Sequence, residues 1–552
     1  MALLFGRFVT GLVVLSWLAM TAQACVFVGR YGHNLPRQDE WEFVPVLTGH
    51  ADSARWVVSK HAEHRFPLAR AVYLGLHAGS GRDFRAGMWV TVALLSASAA
   101  LLLLAARKSR GRSDLIDLLV PVLLLNAGHA ENFTMGYQIA FTLTVGLLAA
   151  FAGVAVWADR IGPRRAAGLC GLATLGVALG GGIGWAFVPG LGLFTASVVV
   201  AACRQSRHRV RDAVVLASLP ALAALYVAAS LVELKRAGGT TPGNDLPTAL
   251  GVAFDFWTAA LGGAGRVGYP LPGVVALGCV VEALLATVAA FGTRSADRVR
   301  LGGCAAVLVG TVVLSLAIGA TRSLGDESRY AAFGGLALCV VVLVRATPGP
   351  PAAFWSPGVL LVPAFAAAVV WQDWQVGKSF AEVYEVRTAM LNRDVRLGLP
   401  ANALAERHVI FPVTGYADAF EMLHVSGHKS LRGAGPSRTL RAVPIPLPPD
   451  ARLPAYDGVG PAPVFELCLP VPIKMDALRL EIDCPDSRYR EVYRLELSTN
   501  PDASAGVTSL WLVPGRRTML FRVEQSLDRV VVRPVERTAG LKLLKCEAVL
   551  FE

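Results

Sequence analysis

Runs of about 20 apolar residues recur along the first two thirds of the chain, each closed by a short polar gap. That length crosses a hydrocarbon core of roughly 30 Å. The pattern predicts membrane spans near residues 3–24, 87–105, 115–130, 138–158, 166–187, 189–203, 213–232, 272–292, 302–320, 331–345 and 354–372. The first ends in Ala22-Gln23-Ala24, which resembles a signal-peptidase site. We read it as retained, because many spans follow. The fifth contains Gly180-Gly181-Gly182, which suits close helix packing or a broken helix lining a cavity.

Two long polar stretches interrupt the runs, residues 25–85 and 233–271. Within the first, Trp56, Val57, Leu68, Val72 and Leu76 recur at helical spacing, interrupted by Pro67 and interleaved with Arg, His and Lys. Such a segment lies along a membrane surface.

The pattern changes after residue 372. Lys378–Arg396 predicts an amphipathic helix and Pro400–Arg407 a short one, together a helical connector over 373–425. A Gly-, Pro- and Ser-rich linker covers 426–462. From 463 to 552, period-two alternation predicts strands at Val464–Leu469, Leu478–Ile482, Val492–Leu497, Ser509–Val513, Thr518–Val523, Arg529–Val535 and Lys542–Phe551. Short strands at regular spacing argue for an antiparallel β-sandwich. The expected fold class is a polytopic α-helical membrane domain over 1–372, with about 11 spans, followed by an extracytoplasmic β-sandwich.

Composition agrees. The chain is 54% hydrophobic and 17% charged, with a mean hydropathy of +0.51. The net charge of +12 does not indicate nucleic acid. Arg107, Lys108, Arg110 and Arg112 fill one gap between runs, Arg160, Arg164 and Arg165 another. Arg204, Arg207, Arg209 and Arg211 form a third cluster, and Arg294, Arg298 and Arg300 a fourth. The positive-inside rule puts these loops in the cytoplasm. Eleven spans with the N-terminus inside satisfy all four and leave the C-terminal domain outside. The cysteines show no CxxC and no zinc spacing. Among Cys468, Cys484 and Cys546, two would be able to pair outside the cell, and the sequence does not say which.

The candidate chemistry lies in the polar stretches. Asp39 and Glu40 are adjacent loop carboxylates, suited to general-base work or to solvation alone; Trp41 reads equally as an interfacial anchor. Glu63, His64 and Arg65 follow, with His61 and His64 on one helical face. Arg65 suits either a phosphate or lipid headgroups. Glu131, Asn132 and Gln138 flank a polar turn, lining a cavity or capping helices. Arg322, Asp326, Glu327, Arg329 and Tyr330 crowd one outer loop. Arg322 and Arg329 there would hold an anionic lipid phosphate or form internal salt bridges.

This layout resembles the GT-C superfamily of membrane glycosyltransferases. The resemblance is carried by Gln38-Asp39-Glu40 in a large first outer loop, the interfacial segment after it, and the β-rich end. It implies transfer of a hexosyl or pentosyl group from a polyprenyl-phosphate or diphosphate donor to a glycan, lipid or protein acceptor. Asp39 would be the general base, with Glu40 second or positioning, and Arg65, Arg322 and Arg329 would hold the lipid phosphate. A divalent cation, Mg or Mn, would enter through Asp39, Glu40 and His64. The sandwich, carbohydrate-binding-like, would grip acceptor glycan or brace the loops. The Ala- and Gly-rich composition points to a bacterial inner membrane. The rival readings are a transporter or flippase of lipid-linked sugars and a non-catalytic scaffold that binds an envelope polymer. A transporter would place charges near the midplane, whereas here they cluster at the outer surface.

Overall fold

The computed structural model describes residues 2–551 apart from 61–63, 207, 237–242, 291–294, 323, 326, 347–360, 409–415, 429–430, 432–437, 439, 448–450, 454–464, 474, 485–492, 499–509, 513–514, 523–526 and 535–540. The chain divides into two compact units. The first is Met1–Glu40 with Gly49–Glu385, and the second is Trp41–Thr48 with Val386–Glu552. The helix Val362–Arg396 runs unbroken through the expected boundary at 372.

The first unit is helical. Among the described residues, seven helices are long and apolar enough to cross a membrane: Phe5–Tyr31, Arg85–Arg110, Gly136–Ile161, Val188–Gln205, Arg209–Leu234, Leu271–Ala289 and Asp297–Thr321. Their outward positions are apolar. Leu15, Val214, Leu225 and Leu285 are each more than 60% exposed, which lipid tolerates and water does not. This is a multi-pass membrane protein. Three more expected spans coincide with other helices, Pro163–Leu179, Ala331–Arg345 and the start of Val362–Arg396.

The run at 115–130 is not one crossing helix. It breaks into a 3₁₀ turn Leu115–Leu118, a helix Leu119–Leu125, a turn Ala127–His129, a helix Ala130–Thr134 and a turn Gly136–Gln138. Asn126 ends the second piece. Its Nδ2 donates back to the Val122 carbonyl at 2.7 Å, and its Oδ1 accepts from the Gly128 amide at 2.8 Å. Every residue from Val120 to Ala140 is buried. Irregular backbone at such a place is tolerated only where protein surrounds it. An apolar run read from sequence cannot distinguish burial in protein from burial in lipid.

Two junctions position this broken segment. Gly136 lies against the helix Arg85–Arg110: a Cβ at Gly87 would meet the Gly136 carbonyl oxygen at 2.2 Å, and one at Gly136 would meet the Phe84 carbonyl oxygen at 2.4 Å. Gly181, at φ +102°, opens the turn between Pro163–Leu179 and Gly182–Trp185. There the rings of Phe66 and His64 occupy the space that side chains at Gly181 and Gly182 would fill. The glycine run therefore receives the loop that follows the first helix, as well as breaking a helix.

That loop holds the helices Ser53–Val58 and Pro67–Gly79. Pro67 starts the second helix rather than interrupting it, because its missing N–H is not needed in a first turn. The face buried in protein is Ala69, Arg70, Tyr73 and His77, while Leu68, Val72 and Leu76 are only half-buried. The polar stripe faces protein and the apolar stripe faces away, the reverse of a water-soluble surface helix and as expected beside lipid.

The second unit contains the helices Ala401–His408 and Tyr416–Val425 and two antiparallel sheets. Its strands are β1 (Leu440–Pro444), β2 (Arg452–Leu453), β3 (Phe465–Ile473), β4 (Ala477–Cys484), β5 (Tyr493–Ser498), β6 (Leu510–Leu512), β7 (Gly515–Arg522), β8 (Leu527–Pro534) and β9 (Leu541–Phe551). One sheet has the order β1-β9-β4-β7, with β2 also on β9; the other has β3-β8-β5-β6. All seven expected strands are present. The expected linker at 426–462 contributes β1 and β2, so it is not wholly linker. Pro444 ends β1 at a sheet edge, where a strand tolerates proline. Cys546 is a buried free thiol on β9 facing Leu480, outside any disulfide; the side chains of Cys468 and Cys484 lie outside the described residues. Trp41 belongs to this unit and stacks on Phe420 with ring centroids 4.4 Å apart.

Gly136→Ala forces a Cβ against backbone and is expected to destabilise the protein by about 1–3 kcal/mol. Gly146→Ala, whose Cβ meets nothing closer than 3.7 Å, serves as the neutral control. Thermal loss of the monodisperse peak in size-exclusion chromatography is the measurement.

Candidate active site

Asp39 and Glu40 sit together on a 3₁₀ turn, Gln38–Phe43, seven residues beyond the end of the first helix. Their environments are opposite. Asp39 is exposed and Glu40 is fully buried. Glu40 Oε1 accepts from the Tyr73 hydroxyl at 2.5 Å and the Tyr137 amide at 3.0 Å, and Oε2 accepts from the Arg37 amide at 3.0 Å. Burial pushes the Glu40 carboxyl up to about 7, against the pull of these donors and of the Arg37 charge. Glu40 is thus a buried anchor held by three donors.

Arg37 is the second anchor. Its Nη1 donates to the Thr134 carbonyl and hydroxyl, and its guanidinium lies 3.2 Å from the centre of the Tyr384 ring. The Tyr384 hydroxyl also accepts from Gln38 Nε2 at 3.4 Å. With both flanks fixed, Gln38 takes a left-handed backbone, φ +48°, which non-glycine residues adopt at a cost. Asp39 follows directly, an exposed carboxylate on a held and strained turn.

The structure brings two other expected groups together. Glu131, Asn132 and Gln138 meet Glu327, Ser328, Arg329 and Tyr330. Arg329 reaches Glu131 Oε1 at 3.7 Å and bonds Glu327. The Ser328 hydroxyl lies 3.3 Å from the Glu131 amide and 3.4 Å from Glu131 Oε2. Gln138 Nε2 donates to Glu131 Oε1, and Asn132 Nδ2 to the Arg329 carbonyl, each at 3.4 Å. Burial alone would lower the Arg329 pKa, but Glu131, Tyr330 and Glu327 raise it above its ordinary value. Of the two sequence readings of Arg329, the internal salt bridge is the one present.

The remaining candidates lie apart. Arg65 donates to Glu233 Oε1 at 2.7 Å and to the Val58 carbonyl at 2.8 Å. His64 meets Trp185 edge-on, with centroids 5.4 Å apart. Arg322 is exposed; its carbonyl accepts from Asn244 Nδ2, and its charge acts on the Tyr330 hydroxyl. His61, Glu63 and Asp326 lie outside the described residues. Among the described residues, no three His, Cys, Asp or Glu side chains are grouped to hold a metal ion. With both Glu40 oxygens committed, the set Asp39, Glu40 and His64 does not fit a resident cation. Sequence reading missed Arg37, Tyr73, Thr134, Tyr137 and Tyr384. Only the mixed character of Tyr73 and Arg70 on an otherwise apolar helix hinted at buried polar work.

No protein-family model matches the chain, and no curated protein matches it. Among solved structures it is similar to arabinosyltransferase EmbB from Mycobacterium smegmatis, at 12% identity over 98% of this chain and 67% of that one, with a TM-score of 0.32.

A carboxyl whose folded pKa exceeds its unfolded one takes up a proton on folding between the two values. For Glu40, stability therefore falls as pH rises from about 4.5 to about 7 and is level above. The loss is about 3 kcal/mol. Glu40→Gln keeps an acceptor for Tyr73 and Tyr137 without the charge. It is expected to flatten this part of the stability profile, at the cost of the acceptor for the Arg37 amide, as read by thermal unfolding in detergent.

Proposed function

We propose that the protein is a membrane glycosyltransferase using a polyprenyl-phosphate-linked sugar, with Asp39 as general base. The observation that carries this reading is Asp39 itself: exposed, on a turn strained at Gln38 and pinned on both sides by Arg37 and Glu40. A solvated loop acid needs no such support. A base that must take a proton in one orientation does.

In this reading an acceptor hydroxyl attacks the anomeric carbon while its proton passes to the Asp39 carboxylate. The bond from that carbon to the phosphate oxygen breaks, and the electron pair leaves on the polyprenyl phosphate. Of the three arginines expected to meet that phosphate, Arg65 and Arg329 are matched by carboxylates, which leaves exposed Arg322 as the candidate. No step requires a metal. The proposal includes eleven crossings, the N-terminus inside, and the 25–85 loop and C-terminal unit outside a bacterial inner membrane. The two sheets would pack as a sandwich that grips acceptor glycan.

The test is transfer from a radiolabelled polyprenyl-phosphate sugar by purified protein in nanodiscs. Asp39→Asn is expected to lower turnover by about 10²–10⁴-fold while eluting as wild type does, and Glu40→Gln to retain most of it. Wild-type turnover by Asp39→Asn sinks the assignment of the base, whereas absence of transfer from every protein, wild type included, favours the scaffold or transporter reading.

A further inference from the structure

The basic loops of the first unit gather at one end of its helices. Lys108, in the last turn of Arg85–Arg110, and Arg300, near the start of Ser295–Thr321, both bond Asp159, at 3.4 and 2.9 Å. Arg164, in the first turn of Pro163–Leu179, bonds Asp212 at 2.9 Å, in the first turn of Arg209–Arg236.

One corner of this end is unbalanced. Arg160 lies in the last turn of Ile139–Ile161, Arg165 in the first turn of Pro163–Leu179, and Arg204 in the last turn of Val188–Gln205. Arg209 and Arg211 open Arg209–Arg236. All five are exposed, and none of their guanidinium groups has a partner among the described residues. The carboxylates within 159–165 and 204–212 are Asp159 and Asp212, and both are already paired. Along the same helices the exposed surface is otherwise apolar. Val210 is 80% exposed, Val214 66% and Val215 59%, and Leu169 and Leu172 are 47% and 58% exposed.

Together these features select the occupant. Five unmatched positive charges call for an anion, and a guanidinium forks onto phosphate oxygens. Free phosphate would meet the charges and leave the valines and leucines bare. A zwitterionic lipid would cover those side chains but bring its own cation to the arginines. An anionic phospholipid satisfies both demands, with its phosphate at the helix ends and its acyl chains along Val214 and Leu169.

We propose that this corner binds the headgroup of an anionic phospholipid. The phosphodiester sits among Arg160, Arg165, Arg204, Arg209 and Arg211 and relieves the repulsion between their like charges. The Arg164–Asp212 pair, with the Asp212 side chain 3% exposed, already fixes the starts of the two helices that carry Arg165, Arg209 and Arg211. The lipid is a second clasp between those helices, and it binds whether or not the protein transfers sugar.

The test is native mass spectrometry of the full chain, released from mixed micelles holding equal amounts of dioleoylphosphatidylglycerol and dioleoylphosphatidylcholine. Wild type is expected to retain the anionic lipid over the zwitterionic one by about tenfold or more. Arg165→Gln, Arg209→Gln and Arg211→Gln combined should remove that preference while eluting as wild type does, since all three side chains are exposed and unpaired. Arg211→Gln alone should lower it by about fivefold, so that the outcome does not depend on the triple variant folding. Arg107→Gln with Arg112→Gln, exposed arginines at another helix end, should leave it unchanged. Glycerol 3-phosphate and inorganic phosphate at the lipid's concentration should not displace the lipid. Equal retention of the two lipids overturns the proposal, as does wild-type preference in Arg211→Gln and the triple variant. An equal loss in the Arg107 and Arg112 variant overturns it in favour of diffuse attraction, and displacement by either soluble phosphate overturns it in favour of a solute-anion site.

Discussion

A polar turn buried in protein must have its hydrogen bonds met by protein. The stretch from Ala130 to Gln138 is such a turn, and its needs organise what surrounds it. The Thr134 carbonyl takes Arg37, and the Tyr137 amide takes Glu40. The Glu131 amide takes Ser328, and the Arg329 carbonyl takes Asn132. Chain segments nearly two hundred residues apart in sequence are thereby fixed to one short piece of backbone. In a low-dielectric setting each such bond is strong and its loss expensive.

Much of the helical layer was legible from the pattern of apolar runs, because lipid demands length and lack of charge and little else. The strands at the C-terminal end were legible for a similar reason, since alternation at period two is a local signal. The third run was legible as apolar but not as broken: Leu119–Leu125 is covered by protein, which tolerates irregular backbone. The linker was misread in part because Gly, Pro and Ser mark edges as well as gaps, and β1 is an edge strand.

At the candidate site residue type alone leaves the roles undivided. Asp39 and Glu40 are adjacent and chemically alike, so only their opposite burial distinguishes an exposed carboxylate from an anchor. The grouping of Glu131, Asn132 and Gln138 with Glu327, Arg329 and Tyr330 is a tertiary fact that no spacing encodes. Arg37 was invisible because an arginine beside a membrane helix usually meets headgroups; here it bonds Thr134 and covers the Tyr384 ring.

The assignment of Trp41–Thr48 to the second unit has a practical side. Phe43 and Val44 are fully buried there, and Trp41 lies flat on Phe420. The eight-residue insert leaves the first unit one residue after Glu40 and returns at Gly49. A shortened chain that stops near residue 385 would strand these apolar side chains in water, and a chain that begins at 386 would lack part of its own core. Each half would aggregate for want of the other's sequence, so the two are separable by description and not by scissors.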